Sequence, residues 1–338
     1  MALLPPVGGR VVSDTPLLEA QNLTKVFGGQ GSLIGRTLAN FGVAPPSRGV
    51  RAVDDVCFAV ARGEVLGVVG ESGCGKSTLG RMVAGLMQPT SGTIHRDGQR
   101  NHARGLDRQM IFQDPFSSLN PRMRVSDLIG EAPRVHRIVS AEDFRGYVDG
   151  LMERCGIDPV YRDRFAHQFS GGQRQRIGIA RALAVEPELL VCDEAVSALD
   201  VSIQAQVVNL FMGLKDELGL TYLFISHDLG IVRHVSDRIL VMYLGRVVES
   251  GPADALFDDP AHPYSRALID GVPRLDRRRV AYEPIKGDIP SPLDPPSGCH
   301  FHPRCPLASD RCRQEAPVLR EISPGRMSAC HLHDETSP

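Results

Sequence analysis

The stretch Val68–Leu86 reads VVGESGCGKSTLGRMVAGL, and it decides how the rest of the chain is read. An apolar run ends at Gly70, a Gly-rich turn follows, and a helix is expected to begin near Gly75. Gly70, Gly75, Lys76 and Ser77 fit the spacing G-x-x-x-x-G-K-[ST]. Glycines let backbone N–H groups approach an anion, and the helix behind them points its positive end at it. The residues in play are Gly70, Glu71, Ser72, Gly73, Cys74, Gly75, Lys76, Ser77 and Thr78. Lys76 has the reach for β- and γ-phosphates, and the Ser77 hydroxyl for Mg²⁺. Cys74 is read as a small side chain that a neighbouring phosphate site could make chemically addressable.

Outward from this loop, strand-like runs recur at 16–28, 51–60, 64–69, 189–192, 221–226 and 238–245. A helical pattern fills 201–218, with Ile203, Val207, Leu210, Leu214 and Leu218 on one face and Gly219 as its stop. Residues 114–182 carry helical periodicity broken by Pro and Gly, as in a mostly helical insert. Strands alternating with helices imply a largely parallel α/β sheet. Residues 29–50 read as a long surface loop. The Pro-dense stretch 284–298 reads as an extended linker. No internal repeat is visible, which predicts one phosphate-binding unit.

The second chemical element is LLVCDE at 189–194, an apolar strand ending in two carboxylates. With the phosphate loop upstream, Asp193 is expected to hold the Mg²⁺ shell and Glu194 to orient or polarise water. Phosphoryl transfer asks mainly for positioning and charge neutralisation. The third is FSGGQ at 169–173, where Ser170, Gly171, Gly172 and Gln173 open a further helix. This is a second anion-binding helix start, and one nucleotide does not need two from one subunit. Two subunits arranged head to tail would use both.

The ordered set resembles the ATP-binding-cassette (ABC) ATPase family over roughly residues 17–260, with FSGGQ similar to its signature motif and Phe169 standing where Leu is usual. The resemblance implies further roles. Gln113 in IFQDP matches the Q-loop glutamine, which senses Mg²⁺ and water. Asp200 ends the D-loop-like SALD. His227 in FISHD matches the switch histidine that contacts the γ-phosphate. Phe27 in KVFG matches the aromatic that stacks on adenine. The fold implied is the P-loop ABC ATPase fold, with a mostly parallel core sheet, an antiparallel N-terminal β region, a helical signature subdomain at about 114–182 and a Cys-rich C-terminal extension. The boundaries expected are an arm at 1–16, the ATPase domain at 17–260 and the extension at 261–338.

Within that family, QDPFSSLNPRM (113–123), DEAVSALDVSIQAQVVNL (193–210), HPYSRAL (262–268) and the cysteine tail resemble the oligopeptide/dipeptide (and nickel) permease ATPases. The resemblance implies ATP hydrolysis coupled to import and a second ATPase subunit, in that family usually a different chain. It also implies two integral membrane permease subunits, a solute-binding protein outside the cell, and a place on the cytoplasmic face of the membrane. The rival class is an ABC ATPase of DNA repair, chromosome organisation or translation. A net charge of −2 gives no reason to expect nucleic acid as a partner. The chain has no long coiled-coil pattern and a single cassette, and the Arg277–Arg279 cluster reads as solvated surface. The N-terminal MALLPPVGGR lacks the features of a secretory signal, and no apolar run is long enough for a bilayer span.

Four of the eight cysteines crowd the tail: Cys299, Cys305, Cys312 and Cys330, spaced C-x5-C-x6-C-x17-C. Four thiolates suit tetrahedral Zn²⁺ or a [4Fe–4S] cluster, and free thiols are the third reading. In peptide-permease ATPases such a tail can hold a [4Fe–4S] cluster, which the resemblance therefore favours, with Zn²⁺ as the alternative. Four cysteines already close such a site, so His300, His302 and His331 are not expected as ligands. A short tail of this kind can be ordered by metal binding.

Overall fold

The computed structural model describes residues 16–28, 49–97, 105–114, 118–271, 285 and 287–334. The arm before residue 16, the loop at 29–48, residues 115–117 and the Arg277–Arg279 cluster lie outside these residues.

In chain order the elements are β1 (Leu18–Phe27), β2 (Val50–Val60), β3 (Val65–Val69), α1 (Lys76–Val83), β4 (Ser91–Arg96) and β5 (Arg108–Ile111). Next come α2 (Val125–Val135), α3 (Phe144–Arg154) and α4 (Gly171–Leu183), then β6 (Leu189–Asp193), α5 (Val201–Leu218), β7 (Thr221–Ile225) and α6 (Leu229–Val235). The chain continues through β8 (Arg238–Tyr243), β9 (Arg246–Pro252), α7 (Ala253–Asp258), α8 (Pro263–Asp270), α9 (Asp310–Gln314), β10 (Arg320–Ser323) and β11 (Arg326–Ser328).

Among the described residues these strands form two sheets. The eight-stranded one runs β10-β11-β9-β8-β3-β7-β6-β5. Pairings β8/β3, β3/β7, β7/β6 and β6/β5 are parallel, and the β9, β11 and β10 side is antiparallel. Every residue of β3, β6, β7 and β8 is buried. A parallel strand covered on both faces reads as an unbroken Val/Ile/Leu run, which is why these four are visible in sequence. The smaller sheet, β2-β1-β4, is antiparallel. Its inner face (Leu18, Ala20, Leu23, Val53, Val56, Phe58) packs with Leu66, Val68 and Leu240 of the large sheet.

Helix α5 ends at Gly219, which is left-handed at φ 66°, as its position after the apolar stripe requires. Its buried residues are Val207, Val208, Phe211 and Leu214. The expected face is therefore rotated: Leu210 and Leu218 are only partly buried, and Phe211 takes the inner position. It stands edge-on to Tyr222 and Phe224 of β7, at 5.8 and 6.2 Å between ring centres.

The C-terminal extension is built onto the large sheet. β11 pairs with β9 (Met327 with Ser250, Ser328 with Glu249), and β10 pairs with β11. Glu249, 1% exposed, accepts the N–H groups of Ala261 and His262, both at 2.8 Å. His262 caps α8 by accepting the Tyr264 N–H at Nδ1 (3.0 Å). Burial pulls its pKa down to about 3, so the ring stays neutral and free to accept. Phe301, 1% exposed, packs against Tyr243 and Tyr264, each 5.3 Å away between centres. Burying one such ring contributes about 1.5–3 kcal/mol. Strand pairing and this aromatic contact hold the tail, so its order does not depend on metal alone.

Candidate active site

Strands β3, β5, β6 and β7 run parallel, and their carboxyl ends deliver the site. Ligands of open α/β sheets gather at that edge. After β3 comes the loop 70–75, then α1, whose N-cap Gly75 has φ 107°. A Cβ on Gly75 would lie 2.0 Å from the Ala52 carbonyl oxygen, so no side chain fits. Lys76 is 5% exposed, and its Nζ donates to the carbonyls of Gly70 (2.8 Å) and Glu71 (3.0 Å). Ser72 and Gly73 are exposed at the loop's crest, and Ser77 and Thr78 are half-buried. Cys74 is 4% exposed, and burial raises its thiol pKa, as for a small side chain packed inside the loop.

The Ser77 hydroxyl donates to Asp193 Oδ1 at 2.8 Å, joining loop and β6 across 116 residues. Burial raises the Asp193 carboxyl. A hydroxyl and a carboxylate side by side are hard oxygen donors, a set that fits Mg²⁺. Glu194 follows with φ 51°, a left-handed conformation uncommon for a residue with a side chain. Its N–H donates to the Ile225 carbonyl (2.9 Å), and its own carbonyl accepts the Ser197 hydroxyl (2.8 Å). Backbone strain of this kind persists where the surroundings enforce it, often at functional sites. Glu194 Oε2 accepts from Gln113 Nε2 (3.0 Å) and lies 3.3 Å from His227 Nδ1. The structure thus gathers Gln113, Glu194 and His227, which follow β5, β6 and β7, around one carboxylate.

Ser170, Gly171, Gly172 and Gln173 start α4. Ser170 and Gln173 form a capping box: Ser170 Oγ accepts the Gln173 N–H (3.3 Å), and Gln173 Oε1 accepts the Ser170 N–H (3.0 Å). Phe169 is 6% exposed and edge-on to Tyr161, so the Phe departure sits at a packing position. Gly172 lies against Ile203 of α5, whose N-cap is Asp200. Among the described residues, neither Asp200 nor the 170–173 group shares a hydrogen bond with the phosphate loop. Phe27 is 40% exposed at the end of β1 and pairs with Val50, two residues before Ala52.

Cys299, Cys305, Cys312 and Cys330 line one cavity of about 200 Å³. The Cys299 N–H donates to the Cys312 carbonyl at 2.8 Å. Burial raises three of the thiols, Cys330 to about 11. Yet among the described residues no group of three or more Cys, His, Asp or Glu side chains is arranged to hold a metal ion. The expectation of a closed metal site is therefore met only as far as a shared cavity. A zinc site places its sulfurs about 3.8 Å apart, at the corners of a tetrahedron. His331 has both ring nitrogens engaged, by Asp334 and by the Glu315 carbonyl. His302 Nδ1 is engaged by the Cys299 carbonyl.

Two contacts escaped the sequence reading. Arg304 makes a forked ion pair with Glu71, and Tyr264 Oη accepts the Glu71 N–H at 2.8 Å. No local pattern announces either.

This arrangement, a phosphate loop with catalytic-type carboxylates at a parallel sheet edge and a capped second helix start, defines an ATP-binding cassette. Residues 53–197 match the family "ABC transporter", and residues 248–312 match "Oligopeptide/dipeptide transporter, C-terminal region". The oligopeptide transport ATP-binding protein AppF of Bacillus subtilis is 47% identical over 333 residues, 94% of this chain and 97% of that one. The di/tripeptide transport ATP-binding protein DppF of Pseudomonas aeruginosa is 49% identical, over 83% of this chain and 90% of that one. Among solved structures, CbiO1 of Clostridium perfringens, part of the ABC transporter complex CbiONQ, has TM-score 0.59 and 27% identity. That likeness covers 72% of this chain and 91% of CbiO1. The chain belongs to the ABC transporter family, in the group that carries the oligopeptide/dipeptide C-terminal region, and it is an ATPase. Among the described residues no helix is long and apolar enough to cross a membrane.

Proposed function

We propose that this chain powers uptake of oligopeptides, dipeptides or related solutes as the ATP-hydrolysing subunit of an importer on the cytoplasmic face of the membrane. The observation that supports this reading is that residues 248–312, matching the oligopeptide/dipeptide transporter C-terminal region, follow the ATP-binding cassette in the same chain. Its partners are a second, different ATPase subunit, two integral membrane permease subunits and, indirectly, an external solute-binding protein, with no role for nucleic acid. We divide the chain into an arm (1–16), the ATPase domain (17–260) and the extension (261–338).

In this reading Lys76 and the loop amides of 70–78 grip the β- and γ-phosphates, and Phe27 stacks on adenine. Ser77, Asp193 and Gln113 would hold Mg²⁺. The ion, when bound, neutralises charge on the phosphate oxygens. Glu194 takes the proton of the attacking water, and His227 donates to the γ-phosphate. Ser170, Gly171, Gly172 and Gln173 close over the partner's nucleotide, with Asp200 at the seam. ATP draws the pair together, hydrolysis releases it, and the permease subunits follow. Removing this chain from its cells should abolish uptake of labelled dipeptide while leaving free amino-acid uptake unchanged. Retained dipeptide uptake would refute the substrate assignment.

For the tail we favour a [4Fe–4S] cluster over Zn²⁺ on the resemblance of its four cysteines to the peptide-permease ATPase tail; all four line one cavity. Anaerobically purified protein should show broad visible absorption and about four irons per chain. Zinc, or no metal, would overturn the cluster and leave the ATPase reading intact.

A further inference from the structure

We propose that Arg304 is a positioning residue for the nucleotide site: from the C-terminal extension it anchors and neutralises Glu71 inside the phosphate loop, and so sets the affinity for ATP. The proposal rests on the reading of residues 70–78 as that loop.

Glu71 is an awkward residue for a phosphate loop. It places a carboxylate one position after Gly70, in a segment whose task is to attract a polyanion. The loop's own cation does not offset it, since Lys76 Nζ bonds to the main-chain carbonyls of Gly70 and Glu71. Arg304, 233 residues away in sequence, does. Its Nη1 and Nη2 donate to Glu71 Oε2 (2.6 Å) and Oε1 (2.9 Å). This fork holds both the charge and the plane of the carboxylate. The side chains are 5% and 20% exposed, far from the freely solvated pairs that contribute little.

The main chain of Glu71 is held from the same quarter. Its N–H donates to Tyr264 Oη at 2.8 Å. Tyr264 packs on Tyr243 and Phe301, and Tyr243 Oη accepts from Arg304 Nη1 at 3.4 Å. Arg304 itself ends the short 3₁₀ turn His302–Arg304, between Cys299 and Cys305. Both ends of Glu71 are therefore fixed by the extension, which makes the extension part of the ATP site.

Removing Arg304 strands a carboxylate in the loop. Breaking a largely buried pair costs far more than breaking an exposed one. In the full-length chain, Arg304→Met should raise the MgATP Kd and the ATPase KM about tenfold, with kcat changed by less than about twofold because Glu194 is untouched. Arg304→Lys should recover part of the loss. The double variant Arg304→Met with Glu71→Gln should bind MgATP more tightly than Arg304→Met alone, since the stranded charge is gone. A residue that merely packs would leave the double variant as weak as the single. An unchanged Kd in Arg304→Met, or no recovery in the double variant, overturns the proposal.

Linkage supplies a check that needs no variant: if Arg304 raises ATP affinity, ATP must tighten the segment carrying Arg304. MgATP should slow hydrogen exchange of the 299–313 amides in the parent protein, and unchanged or faster exchange would overturn the proposal even if Arg304→Met does not fold. A parent that binds MgATP while exchange and the variants stay unmoved removes only the Arg304 role; a parent that binds no MgATP removes the reading of the loop itself.

Discussion

Glu194→Gln should leave ATP bound and stop turnover. On the role proposed for Glu194, its carboxylate accepts the proton of the attacking water, a contribution of about 10²–10⁴-fold in rate. The amide keeps the shape and loses the basicity. Gln113 Nε2 still finds an oxygen acceptor at position 194, and the backbone bond from residue 194 to the Ile225 carbonyl does not involve the side chain. The phosphate loop and Lys76 are untouched. We therefore expect kcat to fall about a thousandfold, with the MgATP Kd within about threefold of the parent. ATP should then hold the paired subunits together, seen as a two-chain species on size exclusion that ADP does not produce. An unchanged steady-state ATPase rate would remove Glu194 from the mechanism.

The parts of this molecule that are legible in sequence are those whose physics is local. VLGVV, LLVCD and TYLFI are buried on both faces, so each is a plain apolar run followed by its functional residues. The residues of the loop and of FSGGQ are adjacent in the chain, and backbone geometry alone dictates their spacing. β4, with the sequence SGTIHR, is mostly exposed and has no apolar alternation to reveal it. β5 has four residues, with one buried. β10 and β11 are short strands whose only reason to form is the free edge of β9, which no window around residue 320 contains. The extension therefore reads as a linker with a metal-binding arm, whereas in the structure it completes a sheet. Its grip on Glu71 is the extreme case, a tertiary ion pair with no periodicity behind it.

The same distinction applies within the site. The sheet edge fixes Gln113, Asp193, Glu194 and His227 because three parallel strands end together in register: Ile111 beside Cys192, and Asp193 beside Ile225. Register in a buried sheet is strongly specified, since a one-residue slip turns every side chain over. Ser170–Gln173 have no such frame with respect to the loop. Their box caps the helix at Ser170 and Gln173, and among the described residues no hydrogen bond engages the amides of Gly171 and Gly172, the other early N–H groups of this helix start. A composite site shared by two subunits, as proposed above, would use such donors on the partner's nucleotide.

Gly75→Ala should be among the most damaging single methyls in the loop. The φ of 107° is strained for any L side chain, a cost of about 1–3 kcal/mol. The added Cβ would also meet the Ala52 oxygen at 2.0 Å, an overlap that something must yield to. Little can yield. Asp54, near Ala52 on β2, donates its N–H to the Gly245 carbonyl (2.9 Å), and the Gly245 N–H donates to the Cys74 carbonyl (2.9 Å). Strand, β8–β9 turn and loop are thus tied into one frame, so relief must come from moving the loop off its phosphate geometry. Overpacking adds about 1–3 kcal/mol, and the sum lowers Tm by roughly 3–8 °C for a chain of this size. MgATP affinity should fall by more than about a hundredfold, because the first turn of α1 carries Lys76 and Ser77. Gly73→Ala separates the two causes. Gly73 has φ 79° with nothing within 4 Å of a built Cβ, so it bears the conformational cost without the collision. Its Tm should fall by about half as much, with ATP still bound. If calorimetry finds the two variants equally impaired, the contact with Ala52 is not what shapes the loop.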